Sequence, residues 1–299
     1  MLLTPTQMAA YDEEGYLLLQ GVLDADTLDL VEGAIERNEA APSPWAATRH
    51  TDECRYHEDR CNFSVGPEIQ SLLYDSPIVD YLAELMETDR VWLYYDQVIC
   101  KRGETGRTSW HQDMSYYLMK PGRQVTGAWI PIDVLDEESA LEVVARSHRG
   151  PLYNMQAPGA SVTNGFEHEI GSEPVPDIDA DRGSYEIRSF SMKPGDMLIF
   201  HPQTLHGGAA TRRGGQRRAI SINVFGPEMV YEPRPNWHSP KYPGLENVLK
   251  PGEPLHRATD AGYFPQLRPL PTQRAVVRER HDLWYGRNQA EADGGKASA

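Results

Sequence analysis

Apolar positions along the chain alternate between two periods, and each stretch ends at a recognisable stop. Thr4-Pro5-Thr6-Gln7 predicts a helix start: a Thr cap, Pro at the first helical position and Gln three residues after the cap. Gly15 ends that helix, and Tyr16-Leu17-Leu18-Leu19-Gln20 predicts a short strand. Asp24 or Asp26 caps a second helix with Leu28, Val31 and Ile35 at helical spacing. Glu68 to about Asp89 predicts a third helical stretch, broken at Ser76-Pro77, with Ile78, Tyr81, Leu82 and Leu85 on one face. Strand-forming runs follow at Val91–Lys101, Val125–Asp133, Leu141–Val144, Phe190–Phe200 and Arg217–Phe225. Asp96 and Gln97 interrupt the first of these, which places one of them toward a polar cavity.

Between these elements the pattern is weaker. Residues 40–66 show no period, and Arg49, His50, Arg55, His57, Arg60 and Asn62 there are either the rim of a site or a solvated loop. Residues 151–189 are rich in turn formers and acidic groups. A segment of that length is either a lid, with Tyr153, Met155, Phe166 and Tyr185 closing over a substrate, or an insertion without fixed structure. Residues 226–275 are Pro-rich and carry Trp237, Tyr242 and Tyr263; they wrap the strands or meet the second subunit of a homodimer. Leu283-Trp284-Tyr285 closes a helix, and residues 288–299 are small, polar and expected to be disordered. The whole predicts one domain over residues 1–287.

Candidate chemistry concentrates at Ser109-Trp110-His111-Gln112-Asp113-Met114. In extended chain, side chains two residues apart share a face, so His111 and Asp113 form half of a metal site. The best candidate for the missing ligand is His206, which follows the run Pro194–Leu205. Two histidines and a carboxylate on one face of a metal leave the opposite positions open, the arrangement of non-haem iron oxygenases. Arg217 and Arg218 then open an apolar strand, where a buried guanidinium needs an anion. His148 has ligand chemistry but is read as a structural, hydrogen-bonded histidine, because the triad is complete without it.

The sequence resembles the phytanoyl-CoA dioxygenase family of Fe(II)/2-oxoglutarate oxygenases from about residue 10 to 230. The matching pieces are Trp110-His111-Gln112-Asp113, Trp129-Ile130-Pro131-Ile132-Asp133, Ser147-His148, Pro194-Gly195-Asp196 leading to His206-Gly207-Gly208, and Arg217 with Ala219. The resemblance implies that His111, Asp113 and His206 bind Fe(II). It implies that Arg217 holds the distal carboxylate of 2-oxoglutarate, with Trp129 and Gly208 lining the same pocket. It also implies a mostly β fold, a double-stranded β-helix (jelly roll, cupin-like) with flanking N-terminal helices. O2 completes the cosubstrates, and succinate and CO2 are released. Retention of Asp113 implies hydroxylation or a related oxidation, since related halogenases lack that carboxylate. Two connecting segments depart from the family: Glu138-Ser139-Ala140-Leu141 where Asn-Gly is common before the Leu, and Ala145-Arg146-Ser147-His148 where Pro-Gly-Ser-His is common.

Composition narrows the partners. A net charge of −15 over 299 residues argues against nucleic acid. No apolar run is long enough for a membrane span, and the N-terminus lacks a signal-peptide pattern. Three cysteines without framework spacing fit the cytoplasm, and Cys54, His57 and Cys61 lack a fourth ligand for a second metal. Tyr94, Gln97, Lys101, Tyr116 and Trp237 are the expected substrate contacts. Their polar-aromatic character suits a polar metabolite or natural product better than an acyl-CoA, which prefers a basic groove. A zinc hydrolase or isomerase and a non-catalytic relative of the same fold stay open as alternatives.

Overall fold

The computed structural model describes residues 1–43, 46–64, 66–154, 173–234 and 239–272. Four helices lie at the start: α1 (Pro5–Glu14), α2 (Ala25–Ala40), α3 (Pro67–Asp75) and α4 (Ile78–Leu85). Thr4 and Gln7 form a reciprocal capping box on α1, and Gly15 ends it in the left-handed conformation. Asp24 caps α2. The strands are β1 (Tyr16–Leu19), β2 (Ala47–His50), β3 (Cys54–Arg60), β4 (Val91–Gly103), β5 (Thr108–His111), β6 (Val125–Pro131), β7 (Leu141–Val144), β8 (Ile187–Ser189), β9 (Met197–Phe200), β10 (His206–Gly208), β11 (Gln216–Phe225) and β12 (Gln266–Arg268).

One sheet runs β1-β9-β6-β11-β4-β3-β2 with β12 beside β4; the other runs β5-β10-β7-β8. The pairings between these strands are antiparallel, and the two sheets make a double-stranded β-helix. Strand alternation divides β11 between two environments. Ile220, Ile222 and Val224 pack outward against helical residues including Val31, Ile35, Leu72 and Leu82. Ala219 packs inward with Trp129, Val143, Leu198 and Phe200. Arg217, Ser221 and Asn223 share the parity of Ala219 and so face the space between the sheets. Residues 226–234 and 239–272 wrap one end of this body, with Tyr242, Leu255 and Phe264 buried against Trp92, Tyr94 and Phe225. None of the described helices is long and apolar enough to cross a membrane.

Two expectations change, and a third falls mostly outside the described residues. Residues 40–66 carry strands where none was expected: β2 and β3 extend the larger sheet. Their pattern is hidden because β3 is polar on both faces. His57 and Asp59 are buried with Asn38 and Asn62 on one side, and Tyr56, Glu58 and Arg60 lie on the other. The run Phe190–Phe200 is not one strand, because Pro194-Gly195-Asp196 turns the chain into β9. The Asp196 carboxylate accepts hydrogen bonds from the Lys193 and Gly21 amides at 2.9 Å each. Of residues 151–189, 155–172 lie outside the described residues, while the flanks are fixed: Asn154 N–H donates to Glu173 O at 2.8 Å and β8 pairs with β7. Leu283-Trp284-Tyr285 and residues 288–299 also lie outside the described residues.

Gly103 closes β4 with φ +74, and a Cβ there would sit 2.1 Å from the Glu53 carbonyl oxygen. The clash is with backbone, so it cannot be relieved by a rotamer change. Gly103→Ala should cost about 2–3 kcal/mol, seen as a lower urea midpoint with an unchanged slope.

Candidate metal centre and anion pocket

β5 ends at His111 and β10 begins at His206, and register places the two directly opposite each other. Their ring centroids are 4.2 Å apart. Each ring is oriented the same way. His111 Nδ1 donates to Ser109 O at 2.8 Å, and His206 Nδ1 donates to Thr204 O at 2.9 Å. A carbonyl can only accept, so in each neutral ring it is Nε2 that carries the lone pair and faces the gap. Gln112 stays extended (φ −117, ψ 127), which carries the alternation one step past β5 before a 3-10 turn opens at Asp113. Asp113 Oδ1 is 3.5 Å from His111 Nε2 and 3.8 Å from His206 Nε2. One ligand atom from each of the three residues lies within 4.8 Å of the others, and no other such group occurs among the described residues.

The turn is braced from both sides. The Gln112 amide donates to Gln203 O (2.7 Å) and Pro151 O (3.1 Å) and accepts from Tyr153 N–H (2.8 Å). Ser147 Oγ accepts from Leu205 N–H at 2.8 Å, one residue before His206. His148 faces away: its Nε2 approaches Asp12 O, and its ring lies against Gly15. Burial, joined by the neighbouring His111, pushes His206 down to about 4, so it is neutral near neutral pH. Burial also disfavours charge on His111, but the Asp113 carboxylate outweighs it and raises that imidazole. Burial acts to raise Asp113, and the two histidines overcome it, so the carboxylate is held low and ionised.

A second feature lies alongside. Arg217 on β11 and Lys101 on β4 face each other in register and are 4% and 2% exposed. Lys101 Nζ donates to Gly106 O (2.9 Å) and Thr108 Oγ1 (3.0 Å). Arg217 Nη1 donates to Ser139 O (2.6 Å) and Ala140 O (3.2 Å). Neither forms an ion pair with a carboxylate among the described residues. Burial, then the facing Arg217, push Lys101 down to about 7. Burial pushes Arg217 down to about 10. Like charges directly opposite and out of water are costly unless an anion joins them. Gly208 makes room for the guanidinium, because a Cβ there would lie 2.6 Å from Arg217 Nη2. Arg218 points the other way and is neutralised by Asp133 at 2.7 Å.

Between the metal residues and the open edge, the interior is polar. Glu58 is held by Tyr56, by Arg60 and by Gln97 Nε2 (2.9 Å). Its charge acts on His111 and Lys101, and that of Arg60 acts on Asp113. The Tyr117 hydroxyl donates to Asn223 Oδ1 at 2.9 Å, with Asp113 Oδ2 at 3.4 Å and the Tyr95 hydroxyl at 3.3 Å.

The expected substrate contacts separate on this map. Gln97 faces the chamber. Tyr116 sets its ring edge-on to His111 with centroids 6.2 Å apart. Lys101 sits instead opposite Arg217. Tyr94 is buried, its hydroxyl accepting the Leu118 N–H at 2.8 Å. Trp129 is buried in the inner core, opposite Ser221. Trp237 lies outside the described residues. Tyr56, Glu58, Tyr95, Thr108, Ser221 and Asn223 went unnoticed in the sequence; the alternation of Tyr56, Glu58 and Arg60 was the available signal.

Metal binding must displace the proton that Asp113 favours on His111. Fe(II) affinity should therefore rise with pH through the His111 titration, with proton release, while His206 contributes no pH dependence until about 4. Anaerobic calorimetry in buffers of different ionisation enthalpy checks this. His206→Ala should lose stoichiometric Fe(II) binding, and unchanged affinity would refute the ligand set.

Comparison with known proteins agrees with this geometry. The family profile of phytanoyl-CoA dioxygenase (PhyH) matches residues 11–219. Peroxisomal phytanoyl-CoA dioxygenase of Rattus norvegicus is 23% identical over 257 residues, covering 77% of this chain and 70% of the relative. Ectoine dioxygenase of Sphingopyxis alaskensis is 23% identical over 246 residues, covering 77% and 80%. Among solved structures, the non-heme alpha ketoglutarate dependent epimerase SnoN from nogalamycin biosynthesis superposes with TM-score 0.66 at 18% identity, covering 88% of this chain and 98% of SnoN. EctD from S. alaskensis, solved with 2-oxoglutarate and 5-hydroxyectoine, superposes with TM-score 0.62 at 18% identity, covering 85% and 86%. These structures share the double-stranded β-helix. Because the profile runs from the first helix to the arginine-bearing strand β11, the chain belongs to the phytanoyl-CoA dioxygenase family.

Proposed function

We propose that this oxygenase oxidises a C–H bond of a polar small molecule, with 2-oxoglutarate converted to succinate and CO2. His111, Asp113 and His206 hold Fe(II), and the bound iron with 2-oxoglutarate and O2 supplies the oxidising chemistry. Arg217 and Lys101 grip the far carboxylate of 2-oxoglutarate, with Thr108 beside them. Lys101 thereby moves from the expected substrate contacts to the cosubstrate pocket. Trp129 belongs to the inner wall nearby, and Gly208 keeps the arginine's path clear.

The observation that carries this reading is the buried, carboxylate-free pair of cations in register with each other. A dianion with one end at the metal and the other between Lys101 and Arg217 satisfies both charges. A hydrolytic zinc centre gives that pair no task. The polar interior at Glu58, Arg60, Gln97, Ser221 and Asn223 supports a substrate with hydrogen-bonding groups. A branched acyl chain there would strip water from these groups without replacing it.

Arg217→Met or Lys101→Met should weaken 2-oxoglutarate binding by about 10–100-fold, the equivalent of roughly 1.5–3 kcal/mol for one charged hydrogen-bonding partner. Metal binding should persist in both, and Arg218→Met should bind 2-oxoglutarate normally. Lys101→Met should also raise the melting temperature of the ligand-free protein, since one of two opposed charges is gone. Calorimetry and thermal unfolding test both effects; an unchanged 2-oxoglutarate affinity in the Arg217 variant would refute the pocket.

The pH dependence follows from the same pair. Lys101 titrates near 7 and holds an anion only when protonated. Affinity for 2-oxoglutarate should fall as pH rises above about 7, and that slope should vanish in Lys101→Met.

A further inference from the structure

The metal centre is open to solvent on one side only. The His206 side chain is 5% exposed, Asp113 17% and His111 23%, while Arg60 reaches 36%. Arg60 ends the polar wall of β3, on which Tyr56, Glu58 and Arg60 alternate toward the chamber. It stands opposite Gln97 in register, and its charge acts on Tyr95 and Asp113. The guanidinium thus shares the accessible side of the centre with His111 and Asp113.

The two charges of that wall are not equally free. Glu58 accepts from the Tyr56 hydroxyl through one oxygen, and the other meets Gln97 Nε2 (2.9 Å) and Arg60 Nη2. Both of its oxygens are therefore engaged. Arg60 spends only Nη2; its Nε and Nη1 make no hydrogen bond among the described residues. Burial acts against the Arg60 charge, but Glu58 outweighs it, so Arg60 stays a cation. Burial also pushes the Tyr56, Tyr95 and Tyr117 hydroxyls up, so they stay neutral. With iron and 2-oxoglutarate bound, the positive charges here are the two of Fe(II), Lys101, Arg217 and Arg60. Facing them are Asp113, Glu58 and the two carboxylates of 2-oxoglutarate. One negative charge is missing, in surroundings where an uncompensated charge is costly.

We propose that Arg60 determines substrate specificity by receiving a carboxylate of the substrate, whose reacting carbon then lies in front of His111, Asp113 and His206. This role rests on the function proposed above, because iron and 2-oxoglutarate supply part of the charge. A carboxylate brings the single missing charge and lies flat against the planar guanidinium. A phosphate monoester, at about −1.5 to −2, brings too much. An ammonium group finds the oxygens of Glu58 already engaged and is repelled by Arg60. Glu58 acts as a positioning residue, holding Arg60 by Nη2 and leaving its other N–H groups to the ligand. The substrate class is thus a small organic monoanion.

The test uses the full-length protein loaded with Mn(II) and 2-oxoglutarate, so that Lys101 and Arg217 are occupied before any probe is added. The probes are cyclohexanecarboxylate, its neutral amide and cyclohexylmethylammonium. Calorimetry should show saturable binding of the carboxylate, about tenfold or more tighter than either of the others. Mn(II) should speed relaxation of the bound ring protons in nuclear magnetic resonance, relative to a Zn(II)-loaded control. Arg60→Gln should bring the carboxylate down to the affinity of the amide and leave amide binding unchanged. Arg60→Lys keeps the charge without the fork and should weaken the carboxylate alone by about threefold; this variant decides should Arg60→Gln not fold. An ion pair with Glu58 that serves only the fold predicts no preference among the probes, or an equal loss for all of them. That result, no saturable binding, or binding without Mn(II)-dependent relaxation would each overturn the role of Arg60. Mn(II) and 2-oxoglutarate binding are measured first. Failure there sinks the function proposed above together with this role, whereas failure at the probe step sinks this role alone.

Discussion

The register between β4 and β11 is the constraint on which the rest of the interior depends. It sets Arg217 against Lys101, Ser221 against Gln97 and Asn223 against Tyr95, all on the inner face. The alternate residues Ile220, Ile222 and Val224 fill the layer beneath the helices. A slip of one residue would send the isoleucines into the polar chamber and Arg218 toward the metal. Burial on both faces therefore specifies the register strongly, and the ionic pocket inherits its geometry from the packing of the hydrophobic layer.

Much of the metal centre was legible in the chain because its signals are local. Extended backbone through Gln112 makes His111 and Asp113 neighbours, and the capping residues of α1 and α2 announce themselves by composition. The distant partner His206 was a candidate from its own chemistry, and the family resemblance singled it out, since no local rule says which later histidine an earlier strand will meet. The β3 strand was illegible for a different reason. Strand recognition relies on one apolar face, and β3 has none: Tyr56, Glu58 and Arg60 line the chamber while His57 and Asp59 are satisfied by Asn38, Thr48 and Ser43. The role of Lys101 was hidden in a similar way. A lysine near a mouth suggests a substrate contact until the cross-strand arginine is known, and then it falls to the proposed anion pocket.

The interior combines two kinds of wall. The inner core at Trp129, Leu198, Phe200 and Val143 excludes water on the side of His111 and His206, which strengthens each charge interaction there. The opposite wall keeps its polar groups engaged with one another through Glu58. A ligand entering that side must match hydrogen bonds already made, so selectivity comes from the loss incurred by a poor fit as much as from the attraction of a good one.

Gln112 sits between two of the proposed metal ligands, yet its amide bonds lead elsewhere, to Gln203 before β10 and to Pro151 and Tyr153 after the His148 turn. One side chain thus ties together three stretches of chain that are far apart in sequence. Mechanically, Pro151–Tyr153 belongs to the metal centre and not to the connection that follows it. A shift of the backbone at Pro151 or Tyr153 therefore pulls directly on the residue that sets the distance between His111 and Asp113.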